Sequence, residues 1–213
     1  NESNTLRQVG QTTEADAKAS QAEELVRRTG DGAMLARVLD GRARVASEQG
    51  RWPEVERLAT EAVLTARSAD APAALVLALG SLGTARRELG NLAGAAEAAQ
   101  EELEVARRLG DPAAAATAQV NLGNIAVSSN DLHAALGWYG AAEPTLRSRE
   151  LWMVLVPLLN NRWQVHAALG DHRSAADDLV ACGDACVRSG AWLQAQQVLA
   201  QARLRLMFRT SDI

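Results

Sequence analysis

Glycine recurs in this chain at one fixed interval: Gly10, Gly50, Gly90 and Gly170 share a register, and Asn130 fills the remaining slot. A second ladder runs half a period out of step, through Gly30, Gly110 and Gly190, with Asp70 and Glu150 in its gaps. Glycine stops helices because it reaches the left-handed C-cap conformation without a Cβ clash. Two interleaved stop signals at one period describe an array of helical hairpins, a solenoid in which each repeat packs on its neighbours. Other residue types keep the register: Ala15, Ala95, Ala135 and Ala175 share one position, Arg27, Arg67, Arg107 and Arg147 another, and Pro72 and Pro112 a third.

Composition agrees with helices and excludes some partners. The chain has 213 residues, 47% of them hydrophobic, yet only one Tyr and one Phe. Ala and Leu with few aromatic residues favour close-packed helices over sheets. A net charge of -4 argues against a nucleic-acid or anionic-membrane surface, which needs a basic excess. The longest apolar run, residues 151–159, is too short for a membrane span and contains Pro157. Two cysteines, Cys182 and Cys186, without a disulfide framework point to the cytoplasm. Spaced i,i+4 on one helix face, they read as small apolar side chains.

The unit between ladder points is one helix of roughly 15–18 residues, by the spacing of the stops. Each repeat then holds a helix A, a turn, a helix B and a second turn. Residues 31–70, 71–110, 111–150 and 151–190 form four complete repeats of one solenoid domain. Residues 1–30 read as a partial N-terminal repeat, cut from a longer protein, and 191–213 as a capping helix and tail. Asp70 is expected to cap helix A of the second repeat, with Pro72 in its first turn. Pro144 and Pro157 fall inside helices, where each removes a hydrogen bond. They predict a kink or early stop near residue 143, and a fourth A helix that is bent or starts late.

The pairs Leu82-Gly83 and Leu122-Gly123, followed twelve residues later by Ala95 and Ala135, resemble the tetratricopeptide repeat family. Tyr139 falls at that family's large aromatic position, and Ala62, Ala142 and Cys182 at its small position near the end of helix B. The repeat is longer than the family's usual one, and resembles the long-repeat branch of kinesin light chains and bacterial multidomain regulators. The resemblance implies an all-α, right-handed superhelix with the A helices lining its concave face. Arg42-Ala43 and Arg162-Trp163 replace the Leu-Gly pair in the first and fourth repeats. Trp163, in a slot meant for glycine, is expected to push its two helices apart.

Carried onto this chain, the groove positions include Asp40, Arg44, Ser81, Thr84 and Arg87 in the first half. The second half adds Asn121, Asn124, Asn160, Asn161 and Gln164. Asparagine is a poor helix former, and a side-chain amide offers both the donor and the acceptor that a peptide backbone needs. The resemblance implies a peptide-backbone clamp there, with Asn121 and Asn161 both exposed. The periodic arginines sit near B-helix ends, where a cation complements the dipole.

No phosphate loop, metal-spaced cluster or nucleophile elbow is present in the sequence. The reading is therefore a non-enzymatic, cofactor-free module that binds a peptide or partner domain, within a bacterial regulatory protein. The competing reading is an oligomerising scaffold, self-associating through Leu204, Leu206, Met207 and Phe208.

Overall fold

The computed structural model describes residue 18 and residues 20–190. The tail of an A helix expected over residues 1–10 and the capping helix expected over 191–208 lie outside them. Among the described residues all regular structure is helical. A first helix, α1, covers residues 20–29. Eight helices of 17 residues each follow: α2 (Gly32–Glu48), α3 (Trp52–Ser68), α4 (Pro72–Glu88), α5 (Leu92–Arg108), α6 (Pro112–Ser128), α7 (Leu132–Ser148), α8 (Trp152–Ala168) and α9 (His172–Arg188). From α2 onwards the helices therefore start at one constant interval, half the period of the glycine ladders.

One turn, used repeatedly, sets this rhythm. The Asn91 N–H donates to the Arg86 carbonyl at 2.8 Å, the 6→1 bond of a Schellman motif. The same bond recurs from Arg51 to Ala46, Ala71 to Ala66, Asp111 to Ala106, Asp131 to Ala126, Leu151 to Leu146 and Asp171 to His166. The residue before each donor must be left-handed. Glycine meets this at Gly90 (φ 83°) and Gly170 (φ 81°), whereas Asp70 (φ 48°), Asn130 (φ 58°) and Glu150 (φ 55°) adopt it against their Cβ. Asp70 thus belongs to the turn, and Ala71, without a side-chain cap bond, precedes α4. Its expected role as N-cap fails by one residue. Asp31, Asn91, Asp111, Asp131 and Asp171 do accept from the first turn of the helices they precede.

The two prolines neither stop α7 early nor delay α8, which run to Ser148 and from Trp152. Pro144 and Pro157 are both exposed, as are Gly140 and Met153, whose carbonyls lose their usual donors. Both carbonyls belong to exposed residues, where solvent can replace the missing donor, and the helices continue.

The chain divides into two compact units at residues 114/115. In the first, neighbouring helices pack in sequence, and α2 also meets α4, the A helix of the next repeat. Its core is built of Ala and Leu, with Ala36, Leu39, Ala43, Leu58, Ala59, Ala62, Ala78 and Ala85 all at 0–1% exposure. Small residues let helix backbones approach closely. In the second unit α8 packs on both α7 and α9. Tyr139, Leu146, Leu155, Leu158, Leu159, Cys182 and Cys186 form one core. Burying each large side chain contributes roughly 1.5–3 kcal/mol. Trp163 is buried without separating its helices, since α8 and α9 share this core.

Candidate functional site

The second unit brings together two of the expected amides. Asn124 lies on α6 and Asn161 on α8, the A helices of successive repeats. The Asn161 side-chain nitrogen donates to Asn124 Oδ1 at 2.9 Å. The Tyr139 hydroxyl, from α7, donates to the same oxygen at 2.7 Å. Tyr139 reaches it because Gly123 has no side chain: a Cβ there would stand 2.4 Å from Tyr139 Cε1. The sequence placed Tyr139 at a large aromatic position and gave its hydroxyl no role. The available signal was a Tyr in place of Phe, opposite a glycine.

The remaining amides are engaged locally. Asn160 Oδ1 accepts from the Trp163 ring nitrogen at 3.2 Å, and Gln164 donates to the Asn160 carbonyl at 3.0 Å. Asn121 also has a partner within the fold. Asn121, Asn124, Asn160 and Asn161 are half-buried and Gln164 exposed. Asn121 and Asn161 are therefore not the fully exposed pair that the sequence suggested: both are half-buried, and Asn161 turns its amide nitrogen onto Asn124.

In the first unit two of the expected polar positions pair with each other, and others find partners nearby. Ser81 on α4 donates to Asp40 on α2 at 2.5 Å. Asp40 is buried, and burial holds its carboxyl above the ordinary value against the Ser81 bond and the nearby Arg44. Thr84 donates back to the Gly80 carbonyl at 3.0 Å, and Arg87 pairs with Glu88 at 2.6 Å. Glu102, buried in the register of Ala62, Ala142 and Cys182, rests its carboxylate against Gly80, where a Cβ would lie 3.1 Å from Oε1. A groove of about 410 Å³ opens at one end of this unit between Pro72, Leu75, Val105 and Leu109.

Charged networks tie helices together elsewhere. Arg162 forks onto Asp178, with Nε to Oδ2 at 2.9 Å and Nη2 to Oδ1 at 2.5 Å, and its other Nη reaches Glu143 at 2.5 Å. Arg147 pairs with Glu143 at 2.7 Å. Burial works against both charges, but the hydrogen bonds from Arg162 and Arg147 outweigh it and hold Glu143 below its ordinary value. The same balance, through Asp178 and Glu143, raises Arg162. Two of the periodic arginines join B helices as well as facing their ends: Arg27 reaches Glu61 at 2.6 Å and Arg67 reaches Glu101 at 2.6 Å. The cysteines are free and buried, and burial beside Cys186 pushes Cys182 up to about 12.

Among the described residues there is no His, Cys, Asp or Glu cluster arranged to hold a metal ion, and no helix is long and apolar enough to cross a membrane. The chemistry that the amide-bearing A helices present is hydrogen bonding by neutral groups.

No protein-family model and no curated protein matches the chain. Solved structures do. BtubC from P. vanneervenii is 19% identical with a TM-score of 0.64, over 93% of this chain and 92% of that one. A Rap protein complexed with Competence and Sporulation Factor is 16% identical with a TM-score of 0.78, over 91% of this chain and 53% of that one. Aspartyl phosphate phosphatase F from Bacillus subtilis is 13% identical with a TM-score of 0.63, over 84% and 45% respectively. The chain thus spans about half the length of the latter two. At these identities the likeness is one of architecture, and the chain has a tetratricopeptide-like helical-repeat fold.

Proposed function

We propose that this chain is a non-catalytic protein-interaction module that takes an extended polypeptide segment along its A helices, with Asn124 and Asn161 at the centre of contact. The observation that carries this is the amide pair itself. Asparagine is unfavourable inside helices, yet two neighbouring A helices each place one at the surface and hydrogen-bond them edge to edge. Neutral amides recognise backbone N–H and C=O groups whatever the side chains, which suits a module that must read an extended chain. The shared fold with a Rap protein that holds Competence and Sporulation Factor supports a bound factor as partner. A cytoplasmic regulatory setting accords with that reading, as does a partner domain within a longer parent chain.

Selection from a displayed library of random nine-residue peptides, using the purified chain as bait, tests the proposal. It predicts peptides whose affinity falls at least tenfold in Asn161→Ala. Peptides that bind this variant unchanged would move the site off this face. A chain that selects no peptide, and whose light scattering rises to a dimer with concentration, would be a scaffold instead.

A further inference from the structure

We infer that Tyr139 is a positioning residue that fixes the hydrogen-bonding polarity of the amide pair, so that Asn124 offers a donor and Asn161 an acceptor to one residue of an extended backbone. This rests on the proposed polypeptide-binding reading. An amide oxygen has two lone pairs. On Asn124 both are occupied, one by the Tyr139 hydroxyl and one by the Asn161 nitrogen. Asn124 therefore keeps its NH₂ for a ligand, and Asn161, whose nitrogen faces Asn124, keeps its carbonyl oxygen.

Neither of those two atoms is among the buried polar atoms that lack a partner, and both residues are half-buried, so both open edges meet solvent. In extended backbone the N–H and C=O of one residue point to the same edge, as in the hydrogen-bonded pairs of a sheet. A donor and an acceptor side by side, on helices held together by their own hydrogen bond, match that edge. They match an amide of one polarity only. Without the Tyr139 hydroxyl, the Asn124 side chain is free to turn over, exchange its oxygen and nitrogen, and present the opposite pattern.

The hydroxyl and the asparagine it serves belong to one repeat. At the positions equivalent to Gly123 and Tyr139, the second repeat has Gly83 and Ala99, and the fourth has Trp163 and Leu179. Neither Ala99 nor Leu179 can bond an amide at the position of Asn124. The polar B-helix side chain and the asparagine occur together in the third repeat.

The test uses one peptide from the selection above, together with versions N-methylated at each backbone amide in turn. On the unmodified chain one N-methyl position should cost at least tenfold in affinity, by removing the proton that Asn161 accepts. In Tyr139→Phe, overall affinity should fall about tenfold, and the penalty at that position should shrink towards the others. The side-chain amide NMR signals of Asn161 in the free chain should shift as well. Asn124→Asp supplies the second variant, because it keeps both bonds to Tyr139 and Asn161 and removes only the outward donor. It should lose the peptide while staying folded, and it decides the matter if Tyr139→Phe fails to fold. Wild-type affinity in either variant, or unmoved Asn161 amide signals in Tyr139→Phe, would overturn the inference. If Asn161→Ala also binds normally, the binding reading falls with it; if Asn161→Ala alone is impaired, only the role of Tyr139 is wrong.

Discussion

Arg42 and Arg162 hold the same place in the first and fourth repeats, and each guanidinium closes on a glutamate 19 residues before it. Glu23 and Arg27 stand to Arg42 as Glu143 and Arg147 stand to Arg162. In the repeat that follows Arg42, Leu82 holds the arginine register and Val63 the glutamate register, both buried. The contact between one repeat's B helix and the next repeat's A helix therefore comes in an ionic and an apolar form. The ionic forms are not equal. Asp178 satisfies Arg162 Nε, but the residue equivalent to it in the first repeat is Leu58, and Arg42 Nε is buried without a partner.

Removing one member of the Glu23–Arg42 pair should cost more than removing both. Arg42→Leu takes one arginine from the buried Glu23 and leaves it Arg27, at a cost of about 1–3 kcal/mol. Glu23→Val with Arg42→Leu reproduces the apolar form and should return stability to within about 1 kcal/mol of the parent, or above it. Urea denaturation of the three proteins measures this. A double mutant as unstable as the single would mean that the two forms are not interchangeable.

Asp40 and Glu143 should give opposite pH dependences. The folded-state value of Asp40 is raised, so its charge is a burden above that value, relieved as pH falls towards the ordinary 3.8. Asp40→Asn, which still accepts from Ser81, should stabilise at pH 7 and lose its advantage in acid. Glu143 is held below its ordinary 4.5, so its contribution is present above that value and lost as pH falls through the depressed one. Glu143→Gln should destabilise at pH 7 and become neutral at low pH. Thermal midpoints across pH 3–7 give both slopes, and slopes of the same sign would contradict the assignment.

The left-handed turn positions predict which substitutions stabilise. Glu150 carries a Cβ at φ 55°, where Gly30, Gly110 and Gly190 of the same ladder have none. Glu150→Gly should raise stability by about 0.5–1 kcal/mol, since relief of the left-handed strain exceeds glycine's entropy cost. Gly90→Ala, at φ 83°, should lower it by about 1 kcal/mol. A shift of the thermal midpoint downward in Glu150→Gly would show that its side chain has another role.

Gly123→Ala should be the most disruptive small substitution in the second unit. Its Cβ would meet Tyr139 at 2.4 Å, an overpacking worth about 1–3 kcal/mol. Ala135→Leu, at a fully buried position, should cost a similar amount. Gly83→Ala should be milder, because its nearest neighbour would be Ala95 O at 3.4 Å. Equal costs at 83 and 123 would contradict the packing described.

The fold was legible because one local event, the left-handed turn residue, recurs after every helix and is written mostly in glycine. Even its exceptions, Asp70, Asn130 and Glu150, obey the turn geometry. The site was legible only in part. Helical register puts Asn124 and Asn161 on A helices, but whether they touch depends on how far apart those helices pack, which no spacing records. Pro144 and Pro157 neither end α7 early nor delay α8, because their local penalty falls at exposed positions where solvent can reach the freed carbonyls. Asp40 and Ser81 were placed on one face, and their pairing emerged only from packing.

The most direct test of the central claim is calorimetric titration of the N-methyl series of a selected peptide against the chain and against Asn161→Ala. One backbone position is expected at which methylation costs at least tenfold on the chain, and little on the variant. Equal tolerance of methylation at every position, or the same single loss on both proteins, would contradict it.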